Sequence, residues 1–346
     1  MKALRTTVVP MAALLISGTA AMAQDGNWVL EPRTLKTPAA ASEQLQTGLR
    51  TIPPPDVAAN RQAPKNRQEW EALIEQRKAA APSLEDQEQL YGASIVPDSI
   101  AGVSIFRVSP PKATTGRIFL HLHGGAYVFR GGNEAVDEAA EVAVAAGLEA
   151  ISVDYRMPPE HPYPAAVDDA IAVYREILKQ YEPGQIAIGG TSAGGGLTLA
   201  ALMQMKALGL ALPAVAYLGT PWADLTDSSD TLHTNEGIDR VLVTYYGWLR
   251  AAALLYAGEY PLTHPRISPL YGDFSDLPPT ILVTGTRDML LSDSARVHRK
   301  LRDAGIVAEL HVFEGLSHAD YLIERGSPEY QSTLTEVSAF FTRYLK

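Results

Sequence analysis

Residues 190–194 read Gly-Thr-Ser-Ala-Gly, directly after the apolar run IAIG and directly before the helical run GGLTLAALM. A serine framed by two glycines where a strand turns sharply into a helix has the form of a nucleophile elbow. The turn is so tight that a β-carbon at either glycine would strike a neighbouring strand or helix, and Ser192 is held out at the top of the sheet. A serine hydroxyl attacks only with a general base beside it and an acid that orients the base.

In a chain of this type the three groups follow in the order serine, acid, histidine. Five histidines follow Ser192. His233 and His264 fall in a long irregular interval, His298 lies mid-helix and His311 lies inside a strand. His318 alone sits in a loop, EGLSHAD, just past the end of the last strand, where a base reaches the elbow. The acid belongs after an intervening strand, and TILVTGTRDMLLSD places Asp288 three residues beyond one. Asp293 is its competitor and reads better as part of a helix start with Ser292; Asp224 and Asp227 follow another strand end and are outside candidates.

Acyl transfer also needs donors for the oxyanion that develops on the attacked carbonyl. The stretch HLHGGAYVFRGG, residues 121–132, follows a strand, and its glycines let backbone approach the reacting group. Its expected donors are the N–H groups of Gly125 and Ala126, with Ala193 N–H as a third. His123 then fixes the loop, and His121 packs in the core. A metal site at these two histidines wants a third ligand, and none stands at suitable spacing. A phosphate loop wants a Walker lysine and a following helix start, which are missing here.

The elements that must position these groups are legible as alternation. Candidate strands are 103–108, 117–123, 149–155, 185–190, 214–219, 280–285 and 308–313; helix-length stretches fill 134–146, 164–180, 193–208, 292–304 and 328–345. Such alternation implies an α/β fold, a mostly parallel central sheet flanked by helices with ligands at the carboxyl ends of its strands. About sixty residues separate the strands at 214–219 and 280–285, far beyond an ordinary loop. They include the aromatic helical run 244–258 and read as a helical cap inserted at about 222–275.

Before residue 94 the texture differs. Lys2 and Arg5, a short apolar stretch and the small residues ending at Ala23 form a secretory signal pattern. Export to the periplasm or beyond the cell, with cleavage near Ala23, is expected. Residues 24–63 are rich in Pro and Ala and read as a loosely ordered arm or linker. Residues 66–81 carry Trp70, Leu73, Ile74 and Arg77 at helical spacing, with Pro82 as a stop; residues 64–93 are assigned to the N-terminal part of the cap and 94–346 to the catalytic domain.

A hydrophobic content of 46% over 346 residues supplies a sizeable core. The absence of cysteine removes disulfides, thiolate ligands and a lipidation thiol. The formal charge is −10, and −12 without residues 1–23, which speaks against nucleic acid or anionic membrane surfaces as partners.

Several motifs in order resemble the hormone-sensitive-lipase-like esterases of the α/β-hydrolase superfamily. HGGAY at 123–127 is similar to the family's HGGG loop, and DYRMPPEHPYPAA at 154–166 to its DYRLAPEHPFPAA segment. GTSAG resembles the branch with Thr before the serine; TPWADLT, RDMLLSD and GLSHAD complete the match over about residues 60–346. The resemblance implies a serine carboxylesterase with the triad Ser192, Asp288 and His318 and with no cofactor and no metal. It also implies a cap built from the N-terminal helix and the insertion. Tyr127, Trp222, Tyr245 and Trp248 are then candidate substrate-binding residues, with Trp70 and Tyr246 as further candidates for the acyl pocket wall. Ala126 departs from the third glycine of the loop, and Met157-Pro158 from Leu-Ala. Asp154, Tyr155 and Arg156 are expected to tie that segment beneath the site.

The expected substrate is a small-molecule ester of short to medium acyl chain, with lactones and aryl esters included. No membrane anchor is expected, and a homodimer is compatible with the chain. An amidase or acyltransferase on the same triad, and a non-catalytic binding protein on the same scaffold, are the alternatives.

Overall fold

The computed structural model describes residues 34–346. The signal pattern ending at Ala23 lies outside the described residues, as does the start of the Pro/Ala-rich arm. The body that carries the site runs from Pro38 to Lys346.

Eight strands form one sheet: β1 (Ser94–Ile100), β2 (Val103–Ser109), β3 (Ile118–Leu122), β4 (Glu149–Val153), β5 (Ile186–Thr191), β6 (Val215–Gly219), β7 (Thr280–Gly285) and β8 (Ala308–Phe313). Their order is β1-β2-β4-β3-β5-β6-β7-β8. The first two pairings are antiparallel and every later one is parallel. The strand missed in the sequence is β1. It lies at the sheet's edge, is mostly exposed and contains Pro97, so it has neither alternation nor an apolar run to announce it.

The helices are α1 (Glu43–Thr51), α2 (Val57–Asn60), α3 (Arg67–Ala79), α4 (Leu84–Tyr91), α5 (Asp137–Ala146), α6 (Ala165–Ile177), α7 (Ala193–Ala207), α8 (Thr231–Thr234), α9 (Trp248–Ala257), α10 (Leu291–Asp303), α11 (Asp320–Ile323) and α12 (Pro328–Tyr344). Alternate strand residues feed two separate cores. Phe119, Ala150, Ala187 and Val283 pack with Ala139, Ala140 and Ala143 of α5 and Phe340 and Phe341 of α12. Leu120, Ile151, Ile188 and Leu282 pack with α6, α7 and α10 through Val167, Leu197 and Val297. Because side-chain direction reverses at each residue of a strand, one strand serves both layers.

Two expectations for the N-terminal region are corrected. The stretch read as a loose arm carries α1 and α2, and Leu45 of α1 is fully buried in the core. Residues 64–93 do not act as one piece. Trp70 of α3 lies 6.1 Å from Phe129, whereas α4 is bonded to the sheet side through Glu88 to the Ile95 N–H at 2.7 Å and Gln87 to the Asn133 carbonyl at 2.9 Å. The long connection from β6 to β7 holds α8 and α9, and α9 packs onto the 123–129 loop and the α6 entrance through Tyr256.

Candidate active site

β5 delivers its last residue, Thr191, to the carboxyl edge of the sheet, and Ser192 follows with φ 63° and ψ −123°. A non-glycine residue in this region costs of order 1–3 kcal/mol and persists only where its surroundings over-determine it. Here they do. A β-carbon on Gly190 would stand 1.9 Å from the Leu122 carbonyl oxygen of β3, and one on Gly194 would stand 2.0 Å from the same atom. Ser192 N–H donates to Gly219 O at 2.8 Å, and its carbonyl accepts from Trp222 N–H at 2.9 Å and Gly196 N–H at 3.0 Å. The half-buried serine lines a cavity of about 750 Å³, which His318, Gly125, Ala126, Phe129, Leu242 and Trp248 also line.

Asp288 follows β7 and His318 follows β8, and the sheet brings them together. His318 Nδ1 lies 3.2 Å from Asp288 Oδ1. That oxygen also accepts from Leu290 N–H at 2.8 Å, while Oδ2 accepts the hydroxyls of Thr284, at 2.9 Å, and Thr220. Both residues of the pair are buried. Burial alone would lower the pKa of His318. The Asp288 carboxylate beside it, with Asp239 and Asp320 further off, outweighs that and holds it above its ordinary value. With Nδ1–H turned to the carboxylate, Nε2 is the ring's basic nitrogen.

The loop after β3 is a run of left-handed residues. Gly125 has φ 105°, Ala126 φ 53° and Tyr127 φ 62°. The turn is closed by Phe129 N–H donating to Gly125 O at 2.8 Å. A β-carbon on Gly125 would meet Phe129 O at 2.3 Å, so only glycine fits there. Ala126 occupies a conformation that glycine adopts more cheaply, so the alanine at this position keeps the loop shape at a cost in strain. Among the described residues, the N–H groups of Gly125, Ala126 and Ala193 donate to no protein acceptor.

The histidines that open this loop have separate partners. His123 Nδ1–H donates to Gly124 O at 2.7 Å, and its ring stacks on Tyr155 at 4.0 Å. Burial pushes its pKa down to about 3, so it is neutral. His121 lies 2.9 Å from Ser152 Oγ and 3.0 Å from Glu138 Oε2. The 154–156 segment ties down the same loop. Tyr155 OH donates to His123 O at 2.7 Å, Asp154 accepts from Gly132 N–H at 2.9 Å, and Arg156 pairs with Asp169 at 2.7 Å.

Of the four substrate-binding candidates the cavity takes one. Trp248 lines it, 5.9 Å from Phe129. Tyr127 is buried and stacked on Tyr256 at 3.8 Å; Trp222 is buried beside it; Tyr245 is buried with its hydroxyl on Leu225 O at 2.7 Å. These three are core, and their nearness to the site in sequence says nothing about which face is covered. Trp70 is likewise buried, and Tyr246 is exposed. Asp293 takes the N–H groups of Ala223 and Asp224 at 2.9 and 2.8 Å, and Asp224 pairs with Arg296 at 2.9 Å. Neither meets His318.

The sequence reading missed four residues around the site: Thr220, Thr284, Glu138 and Asp239. Glu138 accepts from Thr191 N–H at 3.1 Å and Thr191 Oγ1 at 2.5 Å, directly beneath the serine. Thr220 carried the one available signal, as the first residue of TPWADLT immediately after β6; Thr284, Glu138 and Asp239 carry no spacing that marks them.

Comparison with known proteins gives the family. Residues 119–322 match a family model described as the alpha/beta hydrolase fold. An acetyl-hydrolase of Streptomyces hygroscopicus is 33% identical over 231 residues, covering 66% of this chain and 77% of that protein. A solved esterase structure superposes with a TM-score of 0.90 at 41% identity, covering 92% of this chain and 99% of that one. An esterase structure from the bacterial hormone-sensitive lipase family gives 0.73 at 29% identity, with 89% and 100% covered. The fold and the site define a carboxylic ester hydrolase. The chain belongs to the hormone-sensitive-lipase-like esterases of the α/β-hydrolase superfamily.

Proposed function

We propose that the chain hydrolyses short- to medium-chain carboxylic esters through an acyl-enzyme formed on Ser192. The observation that carries this is the buried His318–Asp288 pair opening onto the same cavity as a serine held in a strained turn. Neutral His318 takes the Ser192 proton on Nε2 as Oγ attacks the ester carbonyl; Asp288 holds the imidazole's tautomer and stabilises its charged form. The tetrahedral oxyanion is met by the N–H groups of Gly125, Ala126 and Ala193. Proton return from His318 to the departing alcohol leaves the acyl-serine, which water, activated by the same ring, hydrolyses.

A cavity of about 750 Å³ is in the size range of small-molecule sites and suits a modest acyl chain. In this reading α3 and α9, which meet at Phe129, act as the cap over the site. The basic, apolar and small-residue order of residues 1–23 supports export. The test is hydrolysis of p-nitrophenyl butyrate by wild type and Ser192→Ala. Loss of about a thousandfold or more in the variant is expected. Equal rates would sink the mechanism, and faster turnover of long-chain triglyceride than of a four-carbon ester would sink the substrate class.

A further inference from the structure

Two adjacent residues in the connection between β6 and β7, Asp239 and Arg240, touch the flanks of both His318 and Asp288. Asp239 is fully buried. Its Oδ2 accepts from Met289 N–H at 2.9 Å, immediately after Asp288, and its Oδ1 accepts from Val241 and Leu242 N–H at 2.8 and 3.1 Å. Val241 and Leu242 are cavity wall. Arg240 reaches the other loop. Its N–H donates to Ser317 Oγ at 3.1 Å, and its Nε and Nη2 bond the carboxylate of Asp320 at 3.0 Å. Asp320 in turn accepts from Ser317 N–H at 2.8 Å, so the residue before His318 is held from two sides. Asn235, one turn earlier, donates to Asp288 O at 2.8 Å.

We propose that Asp239 and Arg240 are positioning residues that clamp the acid loop, the base loop and the cavity wall into one register, so that the connection between β6 and β7 sets the Asp288–His318 geometry. This rests on the triad reading above. Strand ends alone fix Asp288 and His318 only to within the freedom of their loops, and a misplacement of about 1 Å can cost a hundredfold in rate. A dipeptide bonding both loops through backbone N–H groups removes that freedom. Its carboxylate also adds charge. The charged groups facing His318 are Asp288 from the loop after β7, Asp239 from the connection and Asp320 from its own loop, the last paired with Arg240. Burial, with Asp288 nearby, raises the Asp239 pKa, while His318 and the N–H groups of Met289 and Val241 favour its carboxylate form.

The experiment compares wild type, Ser192→Ala, Asp239→Asn and Arg240→Lys on p-nitrophenyl butyrate, with kcat and KM followed from pH 5 to 9 and folding checked by thermal melting. Asp239→Asn turns an amide N–H₂ toward Met289 N–H or the Val241 and Leu242 pair, and it removes a negative charge near His318. Its kcat is expected to fall about tenfold or more with KM within about threefold, and its acid limb to move to lower pH. Arg240→Lys keeps the charge and loses the two-nitrogen grip on Asp320, and a smaller fall in kcat is expected. Should Asp239→Asn fail to fold, Arg240→Lys and Arg240→Gln decide on kcat against KM. Folded clamp variants with wild-type kcat and an unmoved acid limb, beside an inactive Ser192→Ala, overturn the clamp alone. An inactive wild type or an active Ser192→Ala overturns the triad and the clamp with it.

Discussion

Gly190 of β5 lies so close beneath Leu122 of β3 that a β-carbon on it would stand 1.9 Å from the Leu122 carbonyl oxygen. The neighbour is backbone held in a parallel pairing, so it cannot swing aside as a flexible side chain would. Gly190→Ala is therefore expected to push β5 away from β3 and to destabilise the fold by at least about 1–3 kcal/mol, the usual cost of overpacking a close-packed interior. Thermal melting of the variant reads this directly. A Tm equal to wild type would mean that the elbow is looser than its geometry implies.

The His318–Asp288 pair gives the pH dependence its sign. In the proposed mechanism His318 works as a base only when neutral, and its pKa is held above the ordinary histidine value because the carboxylates outweigh burial. Acidification therefore removes the base earlier than for a free histidine. The acid limb of kcat/KM is expected to have its midpoint above about 6.5, with activity rising to a plateau on the alkaline side. A midpoint below pH 6 would show that burial, not Asp288, controls the ring.

Much of this arrangement was legible in the sequence because its parts obey local rules. Strand-turn-helix context around Ser192, loop placement of His318 and the strand end before Asp288 each follow from periodicity and order. What was not legible depends on which distant surfaces meet. Thr220 and Asp239 come from well-separated points of the β6–β7 connection and Glu138 from α5, and they converge only after the sheet has formed. Tyr127, Trp222 and Tyr245 misled for the same reason: an aromatic residue near a site in sequence is core or wall according to what covers it. β1 was missed because an exposed edge strand with a proline carries little pattern.

Trp248 and Trp222 separate these two fates experimentally. Trp248 is half-buried on the cavity wall, and Trp222 is 1% exposed with Tyr127 beside it. Trp248→Ala is expected to enlarge the cavity and shift preference toward longer acyl chains while the protein stays folded. Trp222→Ala leaves a void in the core and is expected to cost about 3–5 kcal/mol. A chain-length panel of p-nitrophenyl esters, with melting curves for both variants, checks this. The assignment of wall and core reverses if Trp222→Ala alters chain preference at unchanged Tm.

The carboxylate beneath the Ser192 turn carries the last prediction. Burial pushes the Glu138 pKa up, but the hydrogen bonds and charge that His121 offers, with the hydroxyls of Thr191 and Tyr217, outweigh burial and hold it below the usual carboxylate value. An ionised carboxylate accepts on both oxygens, and here it takes Thr191 N–H on one and Thr191 Oγ1 on the other. Thr191 thus has its backbone and side chain fixed one residue before Ser192, at the point where the chain enters its strained turn. Glu138→Gln replaces one acceptor oxygen with a donor; with its oxygen kept on Thr191 N–H, its amide faces Thr191 Oγ1, whose proton must then turn to Tyr217 or Tyr321. Loss of the charge-assisted bond costs about 1–3 kcal/mol and lets the elbow relax. The expected result is a lowered Tm with kcat falling more than KM rises. Thr191→Ser, which keeps the hydroxyl, should stay close to wild type, while Thr191→Val, which removes it at nearly constant volume, should behave like Glu138→Gln. Wild-type kcat in both Glu138→Gln and Thr191→Val would mean that Ser192 is held by Gly219, Trp222 and Gly196 alone.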